Sequence, residues 1–174
     1  MLSKLRKYVN YDMWIFRVLG FLPPDFWSVT TLAASLVAGW FYHISNPIMG
    51  GIFVLLSGVA DTIDGGVARN LNKRTRFGAI LDSTMDRLGE GVIYAGLSTQ
   101  YRVAIPALIF SYMVSYVRAK DDRVRSGIAE RGDRLLVLIL ASFTGLIEPA
   151  LYLITAAAAL TTFMRLLEAK KLNP

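Results

Sequence analysis

The sequence predicts an all-α integral membrane protein with six transmembrane helices and an amphipathic helix at its N-terminus. Hydrophobic residues make up 54% of the 174 residues, and the mean hydropathy is +0.45, which is more apolar than a typical soluble domain. The apolar residues fall in six segments, each of a length suited to crossing a bilayer. The basic residues also collect on one side of the resulting arrangement, as membrane topology requires.

The N-terminal segment mixes basic residues with bulky apolar ones. Trp14 and Phe16 lie among the lysines and arginines of residues 2–20. This mix predicts a juxtamembrane helix over residues 1–22 that lies along the interface, with its aromatic rings toward lipid. An ordinary amphipathic helix packed on protein is the alternative. Charged residues interrupt the segment, so it is not expected to be a secretory signal.

Prolines and apolar runs divide the remainder into six spans within one domain of residues 1–174. Pro23-Pro24 ends the first helix, and Ser28 is expected to N-cap the first span. Asn46-Pro47 and Glu148-Pro149 are expected to mark two of the turns. Spans of roughly 16 to 24 residues fit a bilayer, some with tilt. The predicted spans are residues 28–45, 48–69, 77–100, 103–125, 132–147 and 150–168 of a six-helix bundle over residues 28–168.

The basic residues give this arrangement an orientation. Six crossings place both termini on one side, together with the loops near residues 70–76 and 118–134. Of the 19 Lys and Arg residues, only Arg102 falls on the opposite side. The positive-inside rule therefore predicts that the termini and the two basic loops are cytoplasmic. The predicted location is the cell membrane.

Composition excludes several classes of site. The chain has no cysteine and a single histidine, His43, so disulfides, thiolate metal sites, zinc–histidine sites and a Ser-His-Asp triad are not expected. The net charge of +6 follows the cytoplasmic side of the predicted bundle. We therefore attribute it to a membrane surface and expect no nucleic-acid partner.

Four aspartates lie at the predicted cytoplasmic ends of the second and third spans. They are Asp61, Asp64, Asp82 and Asp86. Carboxylates in or beside a membrane span are costly and usually serve a function. Their i,i+3 and i,i+4 spacings place each pair on one side of a helix. Two such pairs facing each other repel unless cations lie between them, and oxygen ligands favour Mg²⁺, Mn²⁺ or Ca²⁺. The alternative is simple pairing with nearby arginines, namely Arg69, Arg74, Arg76 or Arg87.

The spacing of these acids carries a resemblance. The pattern is D-x-x-D-G-x-x-A-R, eight residues, then G-x-x-x-D-x-x-x-D. It resembles the signature of the CDP-alcohol phosphotransferases, which are integral membrane enzymes of phospholipid synthesis and typically dimers. Every signature position is present within residues 61 to 86. The matching residues are Asp61, Asp64, Gly65, Ala68, Arg69, Gly78, Asp82 and Asp86. Upstream, Pro24-Asp25-x-x-Ser28 resembles the family's Pro-Asn-x-x-Thr sequence with both polar positions substituted, and no role is assigned to it.

The resemblance implies roles for the signature residues. Asp61, Asp64 and Asp82 are implied ligands of two Mg²⁺ or Mn²⁺ ions, and Asp86 is implied as a ligand of the second ion or as the general base. The nucleotide of a CDP-linked donor would lie against Asp61, Asp64, Gly65, Ala68, Arg69 and Gly78. Gly66 is expected to serve helix packing instead. Glu90, one turn beyond Asp86, has two equal interpretations, a support for the metal ligands or a plain polar contact.

A second cluster of basic residues lies further along the chain. Ser115 and Arg118 share the i,i+3 spacing of Arg131 and Arg134, and arginine forks suit phosphate oxygens. We predict that these four residues bind the phosphate of a soluble acceptor. The alternative is a loop that is basic only because it is cytoplasmic. The segment is similar to phosphatidylinositol-phosphate synthases and their archaeal counterparts, which implies inositol phosphate as acceptor.

The expected function is transfer of a phosphatidyl or archaetidyl group from a CDP-linked lipid to inositol phosphate, with release of CMP. Within the same chemistry, glycerol 3-phosphate as acceptor or CDP-inositol as donor are alternatives. A divalent-cation transporter is the alternative of a different class, because intramembrane carboxylates also mark ion paths. Arginines beside the acids argue against that path.

Overall fold

The computed structural model describes residues 20–71 and 75–173. Within those ranges it consists of six α-helices joined by short connections, without a strand. The predicted interfacial helix of residues 1–22 lies almost entirely outside the described residues. The helices are α1 (Pro24–His43), α2 (Pro47–Asn70), α3 (Arg76–Ser98), α4 (Ala104–Lys120), α5 (Arg131–Thr144) and α6 (Ile147–Leu172).

The start of α1 differs from the prediction. The helix begins at Pro24, and extended Pro23 is its N-cap, because a proline in the first turn has no N–H to leave unpaired. Ser28 therefore lies inside the helix, and its predicted capping role is wrong. Asn46, by contrast, caps α2 by accepting a hydrogen bond from the backbone N–H of Met49 at 3.2 Å.

The other differences concern helix ends. The α4 helix stops at Lys120 because Asp121 is extended, so residues 121–125 belong to a loop instead of the fourth span. Pro149 lies in the first turn of α6, where proline is tolerated. The turn before α6 is therefore at Gly145 and Leu146, a few residues before the predicted one.

The packing of the helices brings the acidic segments together. The α1 helix packs closely against both α2 and α3, α2 also packs on α5, and α3 on α4. The last helix, α6, packs against α4 and α5. Because α2 and α3 share a partner and are joined by a short connection, the C-terminal end of α2 lies beside the N-terminal end of α3. The aspartates occupy these two ends.

The distribution of polarity suits an apolar surrounding. Large apolar side chains are exposed on every described helix, among them Trp40, Leu55, Ile109, Leu140 and Phe163. Serines, threonines and charged side chains are buried between the helices. By length and composition, α2 and α6 are the two described helices that are apolar enough to cross a membrane.

The contact between α1 and α3 depends on two glycines that face each other. A Cβ atom added to Gly96 would lie 2.1 Å from the carbonyl oxygen of Gly39. A Cβ atom on Gly39 would lie 2.6 Å from the carbonyl oxygen of Val92. Both obstacles are backbone atoms, which cannot rotate away, so the two helices approach this closely only because neither glycine has a side chain.

We expect Gly96→Ala to destabilise the bundle. The added methyl must push α1 and α3 apart, and overpacking of this kind costs about 1–3 kcal/mol. Thermal unfolding in detergent measures the change. Gly58→Ala is the matched control, because a Cβ atom there meets no other atom within 4 Å and Ala favours a helix. Equal unfolding midpoints for the two variants would contradict the close approach.

Candidate active site

Three of the four aspartates converge between the C-terminal part of α2 and the N-terminal part of α3. Asp61 on α2 and Asp82 and Asp86 on α3 each place one carboxylate oxygen within 4.8 Å of the other two. Asp86 is buried, and the other two are half-buried. The i,i+4 spacing puts Asp82 and Asp86 on the side of α3 that faces Asp61. Three hard oxygen donors at this separation match a divalent cation such as Mg²⁺ or Mn²⁺.

Asp64 has a different environment. It is buried, and it accepts a short hydrogen bond from the hydroxyl of Ser28 on α1. The structure therefore does not group it with the other three carboxylates, although it lies on the same helix as Asp61. Ser28 was missed as a site residue. The signal that could have found it is the Pro24-Asp25-x-x-Ser28 sequence, whose serine occupies a polar position of the family pattern.

Arg131 is the guanidinium that lies against the acids. It is the first residue of α5, and its Nη1 lies 2.6 Å from Asp86 Oδ1 and 3.6 Å from Asp61 Oδ1. Arg87 contributes a weaker contact, with Nη1 at 3.8 Å from Asp86 Oδ2. Arg74 lies outside the described residues. The acids are thus partly paired with arginine, and one oxygen of each still lies within 4.8 Å of the other two.

The residues predicted to hold the nucleotide lie at the same end of the bundle. The guanidinium of Arg69 lies beside Gly65, where a side chain would otherwise be, since an added Cβ atom would lie 3.2 Å from Arg69 Nη1. Ala68 is half-buried on the same turn. Gly78 lies at the start of α3, and its backbone N–H donates to the Thr75 hydroxyl at 2.8 Å. The helix α3 thus begins with a capped N-terminus beside the acids.

The predicted acceptor residues fall into two groups. Arg118 near the end of α4 has a side chain that is 53% exposed, and its Nη1 lies 3.6 Å from Glu130 Oε1. Ser115 is half-buried one turn earlier. Arg131, the third of the predicted residues, lies against Asp86 and Asp61 as described above.

Arg134 occupies a different position from the predicted one. Its side chain is 1% exposed, and its Nε and Nη2 donate to Glu90 Oε1 at 3.1 and 2.7 Å. Its Nη1 donates to the carbonyl of Ala129 at 2.9 Å. The guanidinium is therefore directed into the bundle, away from an open phosphate pocket. The i,i+3 spacing does place both arginines on one face of α5. It could not show that Glu90 of α3 lies against that face and pairs with Arg134.

Comparison of the sequence with known proteins identifies a family. Residues 21–164 match the sequence model of the CDP-alcohol phosphatidyltransferases. An archaetidylinositol phosphate synthase of Pyrococcus horikoshii is 33% identical over 98% of this chain and 97% of its own length. A phosphatidylinositol phosphate synthase of Cutibacterium acnes is 30% identical over 82% of this chain and 83% of its own length.

Solved structures show the same fold. The phosphatidylinositol phosphate synthase of Mycobacterium tuberculosis with CDP-DAG bound superposes with a TM-score of 0.77 at 25% identity, over 87% of this chain and 89% of that one. The same enzyme in complex with manganese and citrate has a TM-score of 0.78 at 24% identity, over 87% and 85% of the two chains. With a family match over most of its length and relatives of this identity and coverage, the chain belongs to the CDP-alcohol phosphatidyltransferase family.

Proposed function

We propose that the protein transfers a phosphatidyl or archaetidyl group from a CDP-linked lipid to a hydroxyl of inositol phosphate and releases CMP. The observation that carries this proposal is the convergence of Asp61, Asp82 and Asp86, each with an oxygen within 4.8 Å of the others. The two relatives that are 33% and 30% identical are an archaetidylinositol phosphate synthase and a phosphatidylinositol phosphate synthase. This similarity favours inositol phosphate over glycerol 3-phosphate as acceptor.

The carboxylates suit two Mg²⁺ or Mn²⁺ ions. Asp61, Asp82 and Asp86 would hold one ion between them, and Asp64 with Asp61 would complete the second position. When bound, such ions neutralise a diphosphate and stabilise negative charge on the departing phosphate. The serine hydroxyl on α1 would keep the Asp64 carboxylate oriented, as second-shell hydrogen bonds do for metal ligands.

The remaining chemistry falls to the side chains around the cluster. The acceptor hydroxyl attacks the lipid-side phosphorus of the donor, an O–P bond forms, and the diphosphate bond to CMP breaks. Asp86 accepts the hydroxyl proton, since its carboxylate lies at the innermost point of the cluster. Arg131 and Arg118, with Ser115, bind the acceptor's own phosphate on the loop side. The cytidine half of the donor lies along Gly65, Ala68, Arg69 and Gly78.

We also propose that all six helices cross the cell membrane with both termini in the cytoplasm. Large apolar side chains are exposed on every described helix, and among the Lys and Arg residues that the structure describes, Arg102 alone lies at the end of the bundle away from the acids. The active site then opens at the inner leaflet, where a lipid donor arrives from the side and a soluble acceptor from the water. The N-terminal helix would lie along this leaflet. A homodimer is proposed from the family resemblance.

The test is an acceptor panel with purified protein in detergent or liposomes. CDP-lipid and Mg²⁺ are supplied with inositol phosphate, with glycerol 3-phosphate or without acceptor, and CMP is measured. We expect CMP only with inositol phosphate. CMP release with glycerol 3-phosphate but not with inositol phosphate would identify glycerol 3-phosphate as the acceptor. A parallel reaction with CDP-inositol in place of CDP-lipid tests the donor, and CMP release in that reaction alone would identify CDP-inositol as the donor. Mg²⁺ flux into liposomes without any CMP would indicate a transporter.

A serine on α1 gives a sharper test of the metal assignment. We expect Ser28→Ala to weaken Mn²⁺ binding about tenfold, the lower end of the range for lost outer-shell contacts, because the Asp64 carboxylate loses the hydroxyl that orients it. Titration calorimetry measures the affinity directly. Thr30→Val is the control, since the Thr30 hydroxyl donates only to Phe26 of its own helix. Unchanged Mn²⁺ affinity in Ser28→Ala would separate Asp64 from the metal site.

A further inference from the structure

The loop between α4 and α5 (residues 121–130, here the α4–α5 loop) has no regular secondary structure. Buried backbone groups in such a segment need partners from elsewhere. In this protein the partners are side chains, and most of them come from one stripe on α6. The stripe consists of Thr161, Arg165 and Glu168, which share one face of the helix.

Two oxygen atoms of this stripe accept four backbone N–H groups of the loop. Glu168 Oε2 accepts from the backbone N–H of Arg125 at 3.0 Å and of Ser126 at 2.8 Å. Thr161 Oγ1 accepts from the N–H of Ile128 and of Ala129, both at 3.2 Å. One carboxylate oxygen and one hydroxyl thus serve both halves of the loop.

Arg165 supplies the donors of the stripe. The residue is only 2% exposed. Its Nε donates to the carbonyl of Ser126 at 2.8 Å, and its Nη1 makes a short hydrogen bond to the carbonyl of Val114 on α4. Burial of a guanidinium costs free energy, and its hydrogen bonds to two backbone carbonyls offset part of that cost. It connects α4, the loop and α6 at one point.

Gly127 allows the loop to approach the stripe closely. Its φ is +138°, a conformation that side chains disfavour. An added Cβ atom would also lie 2.3 Å from the Cγ2 atom of Thr161. The backbone of the loop is therefore pressed against Thr161 at a position that accommodates only glycine.

The end of this loop leads directly into Arg131, which is proposed to bind the acceptor phosphate. Glu130 is the N-cap of α5, where it forms a capping box with Asp133, and it lies beside Arg118. Arg131 follows at once and touches Asp86 and Asp61. A shift of the loop would therefore move Glu130 and Arg131 together, while the aspartates on α2 and α3 stay in place.

We propose that Thr161 and Glu168 are positioning residues for the acceptor, acting through the α4–α5 loop on Arg131 and Arg118. The inference rests on the proposed function and deepens it, because it assigns the placement of the acceptor-side loop to two side chains of α6. The stripe contacts the loop on the acceptor side of the site, whereas the aspartates lie on α2 and α3. Loss of a stripe residue should weaken the acceptor interaction more than donor or metal binding, because Arg131 is displaced while the aspartates keep their places on α2 and α3.

The experiment uses the full chain with Thr161→Val, which removes the hydroxyl and keeps the shape. We expect the acceptor KM to rise about tenfold, the effect of one lost buried hydrogen-bond partner, with smaller changes in donor KM and Mn²⁺ affinity. Thr161→Ser should restore the acceptor KM. Thr162→Val is the control, because the Thr162 hydroxyl donates to Ala158 of its own helix.

A second variant covers the case in which Thr161→Val does not fold. Glu168→Ala removes the other acceptor oxygen near the end of α6, and Glu148→Ala at the exposed start of the same helix is its control. Hydrogen exchange in detergent should be faster for residues 125–130 in the Thr161 and Glu168 variants and unchanged in both controls. This readout does not depend on catalysis.

The outcomes distinguish the two proposals. Kinetics are measured with whichever phosphorylated acceptor supports CMP release, so failure of inositol phosphate would overturn only the proposed acceptor. An acceptor KM that is unchanged in both folded stripe variants would overturn the positioning role. Equal losses of donor, metal and acceptor binding would also overturn it, because they would indicate general destabilisation.

Discussion

Asp86→Asn is expected to abolish CMP release while the protein keeps its fold. The carboxylate is one of three that converge within 4.8 Å, and it is the one that we propose accepts the proton. An amide keeps the size of the side chain but removes the negative charge and the basic oxygen. Loss of a general base alone costs about 10²–10⁴-fold, and loss of a metal ligand adds to it, so we expect a decrease of at least about a thousandfold.

CMP release and Mn²⁺ binding should be measured together on this variant. Glu148→Gln is the control, because Glu148 is an exposed carboxylate in the first turn of α6 and belongs neither to the acidic cluster nor to the α4–α5 loop. Its activity should equal that of wild type. An Asp86→Asn enzyme with full activity would remove Asp86 from the mechanism. Normal Mn²⁺ affinity together with lost turnover would assign Asp86 to proton transfer alone.

The positions of the helices and the grouping of the aspartates could be predicted from sequence, because both depend largely on the spacing of residues along the chain. Runs of apolar residues between prolines predicted spans that differ from the observed helices by a few residues at most ends. The i,i+4 spacing of Asp82 and Asp86 determined their shared face before any tertiary contact was known. Their convergence with Asp61 depends in addition on α1, against which both α2 and α3 pack, since α2 and α3 are not themselves a closely packed pair.

The contacts that sequence analysis missed all join distant segments. Ser28 meets Asp64 across 36 positions of the chain, and its place after two prolines suggested a cap instead. Arg134 meets Glu90 across 44 positions, whereas its spacing from Arg131 suggested an exposed pair. Local periodicity indicates which residues share a helix face but does not identify what that face packs against. For Glu90 the sequence left two interpretations, and the structure supports an ion pair.

The ion pair of Glu90 and Arg134 continues the contact of Asp86 with Arg131 by one helical turn. Glu90 follows Asp86 on α3, and Arg134 follows Arg131 on α5. The helices α3 and α5 are not among the closely packed pairs, so these two acid–guanidinium contacts bridge them. The inner pair is shielded from bulk solvent, since the Glu90 and Arg134 side chains are 0% and 1% exposed. It fixes the first turn of α5 against the face of α3 that carries Asp82 and Asp86.

Removal of either charge from this inner pair is expected to destabilise the protein more than any other change proposed above. Glu90→Gln leaves a buried guanidinium without its counterion, and Arg134→Met leaves a buried carboxylate. Breaking a buried pair in this way costs about 3–5 kcal/mol. Arg134→Met also removes the hydrogen bond to the carbonyl of Ala129, so its unfolding midpoint should be the lower of the two.

The double variant Glu90→Gln/Arg134→Met tests the charge explanation. It leaves no unpaired buried charge, so its loss of stability should be smaller than the sum of the two single losses. Unfolding midpoints in detergent measure all three, with exposed Arg102→Met and Glu148→Gln as controls that should match wild type. Strictly additive losses would mean that the two side chains act separately. Coupled losses together with a raised acceptor KM would connect the pair, through Ala129 and the α4–α5 loop, to Arg131 at the acids.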